Sequence, residues 1–423
     1  MPDDEQNETT PDGTKRPTLP PGYGDDGGDE APSGEATPEG TKKPAAPSAS
    51  SGDAGTKKPT LPPGFGGDGA GGDGSAEGEP VLSRKDFQSD QDVRWCPGCG
   101  DYAILSAVQR LLPDLDAEKA EHVFVSGIGC AGRFPYYVDA YGMHTIHGRA
   151  PAIATGLKAS RPELKVWVVT GDGDALSIGG NHLIHALRRN VDMQILLFNN
   201  EIYGLTKGQY SPTSEQGKVT KSSPYGSIDA PFNPVRVALG ADASFIARTM
   251  DRDPQHMKAV MEASYDHPGA AFVEIYQNCN IFNDGAFFEF TEKETKPERA
   301  LFLEDGQPMT FAESAKGLRL DGLSLEVVDL STRRWSVDDC LVHDASDEML
   351  AELLGRIFWD DPDADGNAQT LPRPFGVIYQ EERPTYGDLL HTQIEGVTEK
   401  KGAGDLDALL HEGDTWTVGE EQG

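Results

Sequence analysis

The sequence predicts an α/β fold built on a doubly wound parallel sheet, and three observations carry that expectation. HVFVS (122–126), KVWVVT (165–170), QILLFNN (194–200) and AFVEIY (271–276) are short runs rich in β-branched and aromatic residues. They are near-continuous rather than alternating, as strands covered on both faces are. Stretches with helical periodicity, such as DYAILSAVQRLL (101–112) and NHLIHALRRN (181–190), alternate with them, and that rhythm implies parallel pairing. The strand-like runs also lead into glycine, cysteine, aspartate or asparagine, and ligands on such sheets sit at the carboxyl ends of strands.

From the N-terminus, residues 1–80 are rich in Gly, Pro, Ser, Thr and acidic residues, with Tyr23 and Phe65 as their only aromatics. Such a segment buries too little apolar surface to offset chain entropy, so it is expected to be disordered. It contains a repeat, GTKRPTLPPGYG from Gly13 and GTKKPTLPPGFG from Gly55, with a fragment GTKKPAAP from Gly40. The repeat reads as a low-complexity spacer or as a short polyproline docking motif. Residues 81–299 hold the strand–helix pattern and form the expected domain. Beyond Arg299 the pattern weakens among Asp-Pro and Arg-Pro breaks, so 300–423 is expected to be an irregular extension packed on the domain or on a partner.

The chain carries 37 Lys+Arg against 70 Asp+Glu, a formal charge of −33. That excludes a nucleic-acid binder, which needs a basic face. Acidic residues along the whole length suggest a halophilic source, where salt screens the repulsion. MPDDEQNETT has no signal-peptide pattern, and no apolar run is long enough to span a bilayer. Five cysteines in 423 residues do not make a disulfide scaffold. A cytoplasmic protein with reduced thiols is the expectation.

KVWVVT runs directly into GDGDALSIGG, where Gly171 and Gly173 flank Asp172 at the start of a helix. Backbone N–H groups there suit a phosphate, and a diphosphate needs a metal. Asp172 supplies a carboxylate to Mg²⁺, which takes oxygen ligands. The next strand ends in NNEIYG, with Asn200 28 residues beyond Asp172. A βαβ unit of that length brings neighbouring strand ends side by side, so Asn200 can add an amide oxygen and Ile202 a backbone carbonyl. This pair of motifs resembles the diphosphate-binding motif of thiamine diphosphate enzymes.

Four cysteines converge on the same edge. Cys130 follows the first strand in GIGC and Cys279 follows the last in QNCNIFND, while Cys96 and Cys99 stand in WCPGCG ahead of a helix. Four thiolates suit zinc or an iron–sulfur cluster; a redox disulfide within WCPGCG leaves the other two without a role. Cys340, in SVDDC, reads as an ordinary thiol. His182 and His185 are spaced i, i+3 on a helix that reads as a packing element, and Gly179 and Gly180 as a close backbone contact. Asp101 reads either as a helix N-cap or as an acidic group beside the cofactor.

The cysteine spacing, interleaved with GDGD, NNEIYGLTKGQYSPT and HTIHGRAPAIATG, resembles the beta subunits of 2-oxoacid:ferredoxin oxidoreductases over residues 90–300, and more loosely through PRPFGVIYQEERPTY. The resemblance implies the thiamine diphosphate-binding form of the doubly wound fold. It implies one [4Fe–4S] cluster on Cys96, Cys99, Cys130 and Cys279, and Mg²⁺ on Asp172, Asn200 and Ile202. It draws Asp101, Gly129, Cys130, His147, Gly148, Gly171, Gly173, Asp174, Gly204, Leu205 and Thr206 into cofactor binding, and Arg133, Lys207 and Arg149 into contact with substrate. The implied reaction is oxidative decarboxylation of a 2-oxo acid, 2-oxoglutarate before pyruvate, with the acyl group passing to coenzyme A and electrons to ferredoxin. The glutamate that activates the cofactor is expected from a separate alpha subunit. Two alternatives stand beside it: a non-oxidative thiamine diphosphate decarboxylase or synthase, and a zinc-stabilised binding protein without catalysis.

Overall fold

Strands covered on both faces send successive side chains into two different cores, and this chain does so. Val123, Val125, Val166, Val168, Ile195 and Leu197 pack in one apolar cluster. Their neighbours Phe124, Trp167, Val169, Leu196 and Phe198 pack in the other. The computed structural model describes residues 82–358 and 370–416, all within a unit spanning Glu77–Gly423. The tail 1–80 and its repeats lie outside the described residues.

The strands are β1 (His122–Ser126), β2 (Tyr141–His144), β3 (Lys165–Gly171), β4 (Met193–Asn199), β5 (Phe245–Met250), β6 (Ala270–Tyr276), β7 (Ala300–Phe302), β8 (Thr310–Phe311), β9 (Lys316–Asp321), β10 (Ser324–Asp329) and β11 (Arg373–Gln380). Eight of them form one sheet in the order β2-β1-β3-β4-β6-β5-β11-β7, and β10-β9-β8 form a small second sheet. Pairing is parallel from β2 through to β5. Four predicted strands appear within a residue of their expected bounds, and the helices over 101–111 and 180–188 match their predicted spans closely. No helix among the described residues is long and apolar enough to cross a membrane.

The segment after Arg299 is less irregular than its sequence suggests. β11 pairs antiparallel with β5 and parallel with β7, extending the main sheet. Pro374, read as a break, sits near the start of β11, one of the few places a strand tolerates proline.

The chain leaves β1 for β2 on one side, while β3 lies on the other. The strand order therefore reverses between β1 and β3, and a crevice opens at their carboxyl ends, as in other doubly wound sheets. Helix α1 (Asp101–Leu111) precedes β1, α2 (Ala150–Ser160) leads into β3, and α3 (Asp172–Leu176) starts at the end of β3.

Candidate functional site

The crevice is a cleft of about 130 Å³ lined by the loops after β1, β3 and β4 and by the start of α1. Asp174 clamps these loops together. Its Oδ1 accepts from the backbone N–H groups of Ile128 (3.0 Å) and Gly148 (2.7 Å) and from His147 Nδ1 (2.6 Å). Its Oδ2 accepts from Thr170 Oγ1 at 2.7 Å. Glycine is required at two points of this packing. A Cβ on Gly127 would lie 1.7 Å from Asp174 Oδ2, and one on Gly173 would lie 2.2 Å from the Tyr203 ring.

Asp172 is buried, and its Oδ2 accepts from Ser211 Oγ (2.5 Å) and Thr213 Oγ1 (2.6 Å). Burial pushes its carboxyl up, against the pull of these hydroxyls. Asn200 and Ile202 line the same cleft, so three oxygen donors of the kind Mg²⁺ takes are gathered there. Between them, Glu201 faces another cavity of about 490 Å³, shared with Arg373 and Phe287. Burial first, then Glu215, pushes the Glu201 carboxyl up to about 8. That cavity is larger than the cleft, but no glycine and no residue of the loop after β3 lines it, and these are what suit a diphosphate. Ser211 and Thr213 had no assigned role in the sequence, because only the fold brings a loop 39 and 41 residues away onto Asp172.

A second cavity, of about 250 Å³, is lined by Cys96, Cys99, Cys130 and Cys279 together with Arg133 and Lys207. Gly204 separates it from the cleft: a Cβ there would touch the sulfurs of Cys279 and Cys130 at 3.5 and 3.7 Å. Cys99 Sγ accepts from Gln277 Nε2 at 3.2 Å, and the Cys130 carbonyl from Trp95 Nε1 at 2.8 Å. Burial raises the Cys99 thiol far above its ordinary range and that of Cys130 to about 12. Thiols so placed are poor free nucleophiles; positive charge brought beside them favours the thiolate. Among the described residues, no three His, Cys, Asp or Glu side chains stand close enough to hold a single metal ion. A cluster of several irons holds its cysteines further apart than one ion does, and all four line this one cavity.

Comparison with known proteins gives this geometry a family. Residues 127–275 match the family described as thiamine pyrophosphate enzyme, C-terminal TPP binding domain. The chain is 52% identical over 339 residues to the 2-oxoglutarate oxidoreductase subunit KorB of Mycobacterium tuberculosis, covering 79% of this chain and 88% of that one. It belongs to the beta subunits of the 2-oxoacid:ferredoxin oxidoreductases. A beta subunit from Saccharolobus solfataricus is 43% identical over 201 residues, 47% of this chain and 66% of that one. The solved structure of the 2-oxoglutarate:ferredoxin oxidoreductase from Magnetococcus marinus, with 2-oxoglutarate, coenzyme A and succinyl-CoA bound, aligns with a TM-score of 0.60 and 31% identity. It covers 79% of this chain and 97% of that one.

In this beta subunit the structure brings most of the expected residues to the cleft. Asp101, Gly129, Cys130, His147, Gly171, Gly173, Asp174, Gly204, Leu205 and Thr206 line it with the three oxygen donors. Gly148 acts behind them, through its N–H on Asp174. Asp101 is not the cap of α1, since Gly100 holds that position. It is buried, with Oδ2 unpartnered among the described residues, and burial lifts its carboxyl to about 7. Arg149 sits on the surface. It contacts His182 and is not among the residues lining either cavity. Its place just before α2 turns the side chain onto the helix that carries His182.

Proposed function

We propose that this beta subunit holds thiamine diphosphate through Mg²⁺ on Asp172, Asn200 and the Ile202 carbonyl, and one [4Fe–4S] cluster on Cys96, Cys99, Cys130 and Cys279. With an alpha subunit it carries out the coenzyme A-dependent oxidative decarboxylation of 2-oxoglutarate, with ferredoxin as electron acceptor. The observation that carries this reading is the wall shared by the two cavities: Cys130, Asn200, Gly204 and Leu205 line both. A cofactor in the cleft then lies next to the centre that takes its electrons. Thiamine diphosphate, when bound, supplies the electron sink for decarboxylation. The chain's own groups would position it: Gly171 and Gly173 line the cleft at the start of α3, where backbone N–H groups would suit the diphosphate, and the Asp174 clamp fixes the loops on either side. The cleft's 130 Å³ is well below the roughly 300–1,000 Å³ of a complete small-molecule site, which fits a site completed by a second chain.

The choice of 2-oxoglutarate rests on the relatives named for it and on Arg133 and Lys207. These two cations line the cysteine cavity, where one can pair with a distal carboxylate. The test is to express the chain with its alpha subunit without oxygen and measure 2-oxo acid- and coenzyme A-dependent reduction of ferredoxin. Turnover with 2-oxoglutarate above pyruvate supports the reading. Preference for pyruvate overturns the substrate assignment, and a colourless protein without iron overturns the cluster.

A further inference from the structure

We propose that Gln277 couples the metal–diphosphate cleft to the cluster, so that loading the cleft raises the cluster's reduction potential; this rests on the reading that the four cysteines hold a [4Fe–4S] cluster. Gln277 is buried and directly follows β6, where its backbone N–H donates to the Asn199 carbonyl at 2.9 Å. Its side chain bridges the two sites. Oε1 accepts from Asn200 Nδ2 at 2.7 Å, and Nε2 donates to Cys99 Sγ at 3.2 Å and to the Asn278 carbonyl at 2.7 Å.

The orientation of both amides follows from the partners. The Asn278 carbonyl can only accept, so the Gln277 NH₂ group faces it and Cys99, and Oε1 is left facing Asn200. Asn200 must then present its NH₂ group to Gln277. Its Oδ1 lies on the other side, accepting from the Ile202 N–H at 3.2 Å. A cation bound at Oδ1 draws electron density from that amide and strengthens its N–H donor. The polarised Gln277 amide in turn donates more strongly to the Cys99 sulfur, because hydrogen bonds in series reinforce one another at low dielectric. A stronger hydrogen bond to a cluster thiolate favours the more negative, reduced cluster and so raises its potential. The cluster thereby becomes a better acceptor when the cleft is loaded.

The experiment uses the assembled enzyme, without oxygen or substrate, with Gln277→Met and Gln277→Asn as variants. The first is similar in length but has no donor; the second keeps the amide but is one methylene too short to reach both partners. Iron and acid-labile sulfide are counted first. Cluster potentials are then read by spectroscopic redox titration with and without Mg²⁺ and thiamine diphosphate. The wild-type potential should rise on adding the cofactor. In both variants it should start lower, and the rise should shrink or vanish. A variant that keeps its cluster, its wild-type potential and the full rise overturns the coupling. So does loss of the cluster from both variants while fold and assembly persist, because Gln277 would then serve retention. A wild-type enzyme without iron and sulfide overturns the cluster reading itself and is told apart by the count.

Discussion

Asp174→Asn should loosen the cofactor cleft while changing only one atom's identity. The carboxylate is buried and accepts four hydrogen bonds, three of them at Oδ1 from Ile128, Gly148 and His147. An asparagine keeps its oxygen toward these three donors, because its NH₂ group can face the Thr170 hydroxyl, which accepts as well as donates. Geometry is thus preserved and charge is lost. A hydrogen bond to a charged acceptor contributes about 1.5–3 kcal/mol, against about 0.5–1.5 for a neutral one. The difference is about 1 kcal/mol per bond, or about 3 kcal/mol for the three together. That loss is shared between folding and cofactor binding, because the clamped loops are the cleft walls. The assay pairs denaturant unfolding with a thiamine diphosphate titration at saturating Mg²⁺, both on the assembled enzyme at one fixed salt concentration. Thr170→Val, which removes one bond at Oδ2, should show the smaller effect. Wild-type stability together with wild-type cofactor affinity in Asp174→Asn would refute the clamp.

The other predictions follow from single features. Ala at Cys96, Cys99, Cys130 or Cys279 should lower iron content, whereas Cys340→Ala should not, since Cys340 lies apart from the cysteine cavity; iron retained without Cys279 would break the ligand set. Asp172→Ala should abolish Mg²⁺-dependent binding of thiamine diphosphate, and unchanged affinity by calorimetry would remove Asp172 from the site. Arg133→Leu should lower kcat/KM for 2-oxoglutarate much more than for pyruvate, by about tenfold or more for a lost charge-assisted bond; an unmoved ratio places selectivity elsewhere. His122 is buried with its pKa lowered to about 4, chiefly by burial. The unfolded chain takes up this proton near pH 6.5 and the folded chain only near 4. Its contribution is therefore whole above pH 6.5, falls with pH between 6.5 and 4, and changes no further below; the difference is on the order of 3 kcal/mol. His122→Asn should flatten that part of the stability–pH curve, measured by denaturant unfolding, and an unchanged slope would refute it.

How far the sequence could be read depends on distance along the chain. β1, β3, β4 and β6 were legible because their apolar runs serve two cores at once, and the GDG–NN spacing was legible because it spans one βαβ unit. β5 and β11 were harder. β5 carries Arg248 in the middle of FIARTM, and β11 opens with Arg373 and Pro374, residues that read against a buried strand. The site shows the same division. Asp172, Asn200 and the cysteines are marked by their motifs, and the structure places them around two adjoining cavities. Ser211 and Thr213 close the NNEIYGLTKGQYSPT stretch, but their role does not show there, since a serine or threonine in a loop is ordinary until the fold lays it on a carboxylate. Arg149 is exposed beside His182, because a basic residue before a helix marks proximity to an anion but does not set the direction of its side chain.

Arg248 keeps a charge in a buried strand by pairing it, and it ties the C-terminal segment to the Asp172 side of the cleft. Its Nε donates to Glu274 Oε2 at 2.7 Å with both side chains fully buried, and its Nη1 donates to the Pro374 carbonyl of β11 at 3.1 Å. Glu274 Oε1 accepts from Asn199 Nδ2 at 2.8 Å. Asn199 Oδ1 then lies 3.0 Å from Thr213 Oγ1, the hydroxyl that also reaches Asp172. A buried ion pair adds little net stability over apolar residues of equal size, but breaking one by removing a partner costs about 3–5 kcal/mol. Its value here is directional. A carboxylate accepts only, so Glu274 fixes the Asn199 amide, and that amide faces its oxygen toward Thr213. The segment that looked irregular in sequence thus supplies one acceptor, the Pro374 carbonyl, to a hydrogen-bonded series that runs through Arg248 and Glu274 to the Asn199 amide, beside the Thr213 hydroxyl that reaches Asp172. β11 is in this sense part of the support for the Asp172 side of the cleft, although no residue of it lines the cleft.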